Sequence, residues 1–245
     1  MPSQIEKLQA HSSHLLDGFL GLREKYAMLE PMLFDIEVVT EHGSNQRKRG
    51  FTILRNTLFL SCVQDIAKLS LDSDNNAPSI KNIIKALESE VLRLELRKQF
   101  ASWKMPSIGE NDPAIIENLQ KLELQKEEQR RTEFDTNYSQ LLGLWNQLAA
   151  SSILDAFRII RNKLSAHMDI HYVDGSYKLL DISTFGVNWN NLRESIAALQ
   201  EIVELLGLLI RNSGFAWDDL DTQLVKTGAS FWCGNNGTYL HSGID

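Results

Sequence analysis

Apolar residues recur every three or four positions along most of the chain, and this spacing predicts a succession of helices. Ile5, Leu8, Leu15, Leu16, Phe19, Leu22 and Tyr26 mark one side of a helix over about 4–40, which Pro31 kinks or divides. A second helix over 51–71 carries Leu54, Leu58, Val63, Ile66 and Leu69. It is apolar on more than one side between Leu58 and Val63, which places it centrally in a bundle. Turn formers at 72–78 end it, and Ser79 is a good cap for the next helix. That helix runs through Ile80, Ile83, Ile84, Leu87, Val91 and Leu94 to about Trp103. Asp112-Pro113 opens another in the favoured cap-then-proline order. Its charged stretch over 125–133 faces solvent, with opposite charges spaced to support the helix. Residues from about 85 to 135 therefore read as a long helical hairpin projecting from the core.

Leu141, Leu142, Trp145 and Leu148 lead into Ser151-Ser152, and a helical period continues from Ile153 to about Met168, as one helix or two. The period then changes. Ile170, Tyr172, Asp174-Gly175, Tyr177, Leu179 and Ile182 read as a short β-hairpin with a tight turn. Asn188 or Asn190 caps a last helix carrying Leu192, Ile196, Leu199, Ile202, Val203, Leu206 and Ile210, and Ser213-Gly214 ends it. The pattern predicts an all-α, up-and-down helical bundle over 1–212, with the hairpin of 85–135 inserted and the β-hairpin following the 153–168 helix. Residues 213–245 form an aromatic, turn-rich tail that packs over the bundle or serves as an oligomer contact.

Composition narrows the function classes. The 245 residues are 43% hydrophobic and 23% charged, which suits a globular chain able to bury a core. The formal net charge is -7, so any nucleic-acid role must come from a local patch. Cys62 and Cys233 make neither a metal spacing nor a disulfide framework, and no cofactor motif is present. No signal-like apolar core opens the chain, and the apolar run at 205–210 is far too short to span a bilayer. A cytoplasmic protein with no membrane association is expected.

Candidate chemistry concentrates in Arg161-Asn162-Lys163-Leu164-Ser165-Ala166-His167. A phosphodiester site needs donors for developing charge, which the arginine fork supplies, and a group that titrates near neutrality, which histidine supplies. Nearness to a helix C-terminus favours the imidazolium, while Arg161 and Lys163 oppose it. From Asp155 to His167 the charged residues are Asp155, Arg158, Arg161 and Lys163, a surplus of positive charge in an acidic chain. On a straight α-helix, however, Arg161 and His167 lie about 120° apart and about 9 Å along the axis. They meet on one phosphate only if the helix ends near Ala166, or if two copies of the chain pack together. Arg-Asn also occurs at 55–56 and 211–212 without a following histidine. Spacing alone favours the ordinary explanation, a solvated Arg-Asn pair with a histidine near a helix end.

The run from Ile160 to Asp169, in an otherwise helical chain, resembles the HEPN superfamily, whose mark is an arginine with a histidine after four to six intervening residues. Five intervene here. Arg161-Asn162-Lys163 with Ala166-His167 and Asp169 looks most like the AbiU-type abortive-infection group. The resemblance implies a metal-independent endoribonuclease of toxin or antiphage type, acting on RNA as a homodimer. Arg161 would stabilise the phosphoryl transition state and His167 would act as general base or acid. Asn162 would be the positioning polar residue, and the local positive charge adds Lys163 and Arg158 as expected substrate contacts. An antitoxin or other regulatory protein is an expected partner. The alternatives are a non-catalytic HEPN module that binds nucleotide, RNA or a protein, and a helical adaptor using the 85–135 hairpin or the tail.

Overall fold

The computed structural model describes residues 3–102, 113–165, 170–173, 176–179 and 186–233. Nine helices fall among them: α1 Gln4–Phe34, α2 Ile36–His42, α3 Lys48–Leu71, α4 Ile80–Leu87, α5 Glu90–Ala101, α6 Pro113–Ala149, α7 Ser152–Ile160, α8 Trp189–Arg211 and α9 Trp217–Cys233. A 3-10 turn, Asn45–Arg47, precedes α3, and a π-helical turn, Arg161–Ser165, follows α7. Two strands, β1 Ile170–Val173 and β2 Ser176–Leu179, pair antiparallel with Ile170 opposite Leu179 and Val173 opposite Ser176. Positions 174 and 175, where the sequence places the Asp-Gly turn, lie outside the described residues.

The chain divides into two compact units: Met1–Leu16, Asp72–Ala150 and Ala198–Phe215 form one, and Asp17–Leu71, Ser151–Ala197 and Ala216–Asp245 the other. In the first, α1 begins with a reciprocal capping box. Ser3 Oγ accepts from the Glu6 N–H at 3.1 Å, and the Ser3 N–H donates to Glu6 Oε2 at 2.6 Å. The helix expected to run from Ile80 to about Trp103 is two helices. Ser89 is extended at φ -66, ψ 112, and stands at the start of α5 without a side-chain capping bond. The carbonyl of Leu87, freed at the end of α4, accepts from Arg93 Nη1 at 3.3 Å and from the Tyr138 hydroxyl at 3.4 Å. This break resets the helical phase. Leu92, Leu96 and Phe100 are buried, whereas Val91 and Leu94, which a continuous helix would turn inward, are 78% and 54% exposed.

Helices α5 and α6 pack antiparallel as a hairpin, with Arg93 over the Tyr138 ring, Arg97 forked onto Asp135 at 2.8–3.1 Å, and Phe100 edge-on to Phe134. Arg130 stacks over Phe100 at 4.6 Å and donates to the Phe100 carbonyl and to Asn212 Oδ1, both at 2.7 Å. These contacts fall within one compact unit, and Phe100, Phe134 and Leu141 belong to its core.

In the second unit α1 continues through Pro31 and stops only at Phe34, because Asp35 caps α2 by accepting from the N–H groups of Glu37 and Val38 at 2.9 and 3.2 Å. Helix α9 forms within the stretch read from the sequence as a turn-rich tail. Gly228 is what admits it: a Cβ there would stand 2.7 Å from the Ala27 carbonyl oxygen, so only glycine allows α9 this close to α1. Trp232 is buried among Met32, Val38 and Phe51, and its indole N–H donates to the Met28 carbonyl at 2.9 Å. Trp217 stands edge-on to Phe19 at 5.7 Å, and Arg23 pairs with Asp221. The helix packs Trp217 and Trp232 against its own unit, while Phe231 stays 60% exposed.

Cys62 lies fully buried on α3. Burial, reinforced by Asp65 and opposed by Lys25, pushes its thiol up to about 12. With an ordinary value of 9.0, the thiolate fraction at neutral pH falls about a thousandfold. In a Cys233→Ser background, native protein therefore alkylates at Cys62 on the order of a thousandfold more slowly than denatured protein. Equal rates would show that the α3 core is open.

Candidate functional site

The helix that presents the motif starts cleanly. Ser151 is extended, and its Oγ accepts from the Leu154 N–H at 3.1 Å, while Asp155 in the first turn complements the helix dipole. Ser151 thus separates α6 from α7, an ambiguity that the periodicity over 134–168 leaves open. Leu154, Ala156, Phe157 and Ile160 are buried, and α7 packs against α3. Phe157 is completely buried, so Phe157→Ala should destabilise the fold by about 3–5 kcal/mol, read by urea denaturation. A loss below about 1 kcal/mol would mean that α7 is not anchored in this core.

Regular α-helical bonding ends at Ile160. Arg161 keeps right-handed helical dihedrals, φ -53 and ψ -49, and from it to Ser165 the backbone adopts a π-helical turn that also packs against α3. The expectation of an α-helix from Ile153 to about Met168 is thereby corrected. A π turn closes i to i+5 bonds, adding a residue to the ring, so side chains after Ile160 no longer follow the 100° step of an α-helix. The 120° separation between Arg161 and His167 rests on that step and does not carry over. Such turns occur mostly as single interruptions in α-helices, frequently where function needs a side chain re-aimed.

Of the residues singled out by sequence, Arg158, Arg161, Asn162 and Lys163 are placed, and His167 lies outside the described residues. Arg158 is engaged within its own helix, its Nη2 and Nε donating to Asp155 Oδ1 at 2.6 and 3.0 Å. Both side chains are about half exposed, and a surface pair of this kind is worth about 0–1 kcal/mol, so a phosphate can draw Arg158 away at little cost. Asn162 is exposed, and Arg161 and Lys163 are half-buried. The three polar side chains therefore leave the core at successive positions around the wider turn. Among the described residues, no group of three or more His, Cys, Asp or Glu side chains is arranged to hold a metal ion. No helix among them is long and apolar enough to cross a membrane.

Sequence reasoning passed over Arg55, on α3. Its guanidinium lies 5.6 Å from the ring centre of Trp189 and 6.0 Å from that of Phe51, and Trp189 packs edge-on against Phe59 at 4.9 Å. The Arg55-Asn56 dipeptide carries no histidine behind it, so the motif pattern does not pick it out.

An all-α chain with an arginine and a histidine at this spacing is similar to proteins of the HEPN class. The family model AbiU2 of HEPN proteins matches residues 5–229, and the chain belongs to that family. No curated protein and no solved structure matches it.

Proposed function

We propose that this protein is a metal-independent endoribonuclease, a toxin or antiphage effector acting in the cytoplasm, with a composite site across a homodimer. The observation that supports this reading is the intact Arg161 to His167 motif, with five residues between, in a chain of the AbiU2 family. In the reaction, the 2'-hydroxyl oxygen of one nucleotide attacks the adjacent phosphorus. The P–O5' bond breaks, leaving a 2',3'-cyclic phosphate on one product and a 5'-hydroxyl on the other. A neutral His167 imidazole takes the proton from the 2'-hydroxyl, and an imidazolium protonates the departing 5'-oxygen. One His167 serves both roles in turn, passing on the proton it takes, opposite Arg161 of the other subunit. Arg161 binds the non-bridging oxygens as their charge grows, through its planar fork. Asn162 fixes the phosphate by hydrogen bonding, and Lys163 and Arg158 hold the flanking backbone.

The products provide the test. RNA incubated with the protein in EDTA should give fragments ending in cyclic phosphate, with 5'-hydroxyl partners. Ends of the opposite kind, 3'-hydroxyl and 5'-phosphate, would contradict attack by the 2'-hydroxyl.

A further inference from the structure

On α3, the helix against which α7 and the π turn pack, one face changes character along its length. Taking Phe59 as zero and about 100° per residue, Lys48, Thr52, Arg55, Val63 and Ile66 all fall within about 40° of it. From Phe59 onward this face is core: Phe59, Val63 and Ile66 are buried. Toward the N-terminus the same face rises out of the core, with Arg55 and Thr52 half-buried and Lys48 exposed. Every charged residue from Arg47 to Gln64 is positive, namely Arg47, Lys48, Arg49 and Arg55. Glu41 pairs loosely with Arg47 at 3.8 Å, and no ion pair among the described residues engages Lys48, Arg49 or Arg55. The stripe is therefore an uncompensated cationic ledge in a chain of net charge -7.

Arg55 is the fixed point of that ledge. Its guanidinium lies over Phe51 and Trp189, and its Nε is buried with no hydrogen-bond partner among the described residues. A buried, unsatisfied N–H costs free energy unless a ligand or water completes it. Stacking on aromatic rings also limits the entropy that the side chain loses when it binds.

We propose that the Lys48–Arg55 face of α3 is a phosphate-binding track for RNA, holding backbone phosphates beside the one cleaved. The inference rests on the reading of the chain as an RNA-cleaving protein, and it adds residues that the motif does not contain.

The experiment uses the full chain and a fluorescent single-stranded 2'-O-methyl RNA, which lacks the attacking hydroxyl and so reports binding without cleavage. Lys48→Gln and Arg55→Met are compared with wild type over a salt series. Arg55→Met keeps an apolar stem between the rings, and matching thermal melts confirm folding. Lys48, being exposed, tests the track without touching the core. Each variant should weaken binding on the order of tenfold and flatten the slope of log affinity against log salt by about 0.7. With cleavable RNA, KM should rise and kcat at saturation stay unchanged. Lys126→Gln, an exposed charge on α6, should bind as wild type does. If wild type binds and both variants bind equally well with the same salt slope, the track is wrong, while loss of cleavage in His167→Ala would still support the nuclease reading. If the variants lose binding but wild type never cuts RNA, the track stands and the nuclease reading fails. Absence of binding by wild type overturns the track outright.

Discussion

His167→Ala should lower RNA cleavage by about 10²–10⁴, the usual contribution of one positioned acid-base residue. Arg161→Ala should lower it by about 10²–10³, because the proposed site would lose one preorganised donor to a developing oxyanion. Both losses fall on kcat and on kcat/KM together, since each interaction strengthens only as the transition state forms. Binding of an uncleavable 2'-O-methyl RNA should persist in His167→Ala. Arg161→Lys should recover only part of the rate, because an ammonium restores charge but not the bidentate fork. The π turn gives a physical reason to expect sensitivity here: Arg161 is its first residue, and the turn is held against α3. Variants that cut as fast as wild type would remove these two residues from the site.

The second large effect concerns where the two residues come from. If Arg161 of one subunit works with His167 of the other, a dimer of Arg161→Ala with His167→Ala retains one complete site and one doubly defective site. Random mixing puts half of the chains into such heterodimers, so about a quarter of wild-type activity should return from two inactive proteins. If each subunit carries its own complete site, no heterodimer has one, and the mixture stays inactive. Unfolding and refolding the mixture together ensures exchange of subunits. The recovered fraction should vanish when either variant is replaced by the double variant.

What the sequence made legible follows from where helical period alone decides the outcome. All seven apolar residues assigned to one side of α1 are buried, from Ile5 to Tyr26. Ser79 caps α4, and Asn188 caps α8 by exchanging hydrogen bonds with Asn191 at 2.9 and 3.0 Å. Period fails where a local cap resets the phase. Ser89 carries no unusual signal in the sequence, yet its extended backbone turns Val91 and Leu94 outward. Asp35, four residues beyond Pro31, decides where α1 ends, because the helix runs on through Pro31 without the backbone bond that proline cannot donate. Helix α9 was obscured for a different reason. Its apolar residues, Trp217, Leu220, Leu224, Val225, Phe231 and Trp232, run straight into a turn-rich stretch, and the feature that seats it, the missing side chain of Gly228, depends on a neighbour distant in sequence.

At the candidate site the residue types were legible and their geometry was not. A straight wheel puts Arg161 and His167 on opposite borders of a stripe, and the π turn that voids this construction leaves no mark in the amino-acid pattern. Arg55 was hidden in the same way. Its role depends on the rings of Phe51 and Trp189, the second 134 residues away by numbering, 189 minus 55.

The central claim is that Arg161 and His167 form a metal-independent RNA-cleaving site, and one comparison tests it most directly. A labelled RNA is incubated in excess EDTA with wild-type protein and, in parallel, with His167→Ala purified identically. The expected result is cleavage by wild type, with cyclic phosphate ends, and at least a hundredfold less by the variant. Equal cleavage by the two, or cutting by wild type that EDTA abolishes, would contradict it.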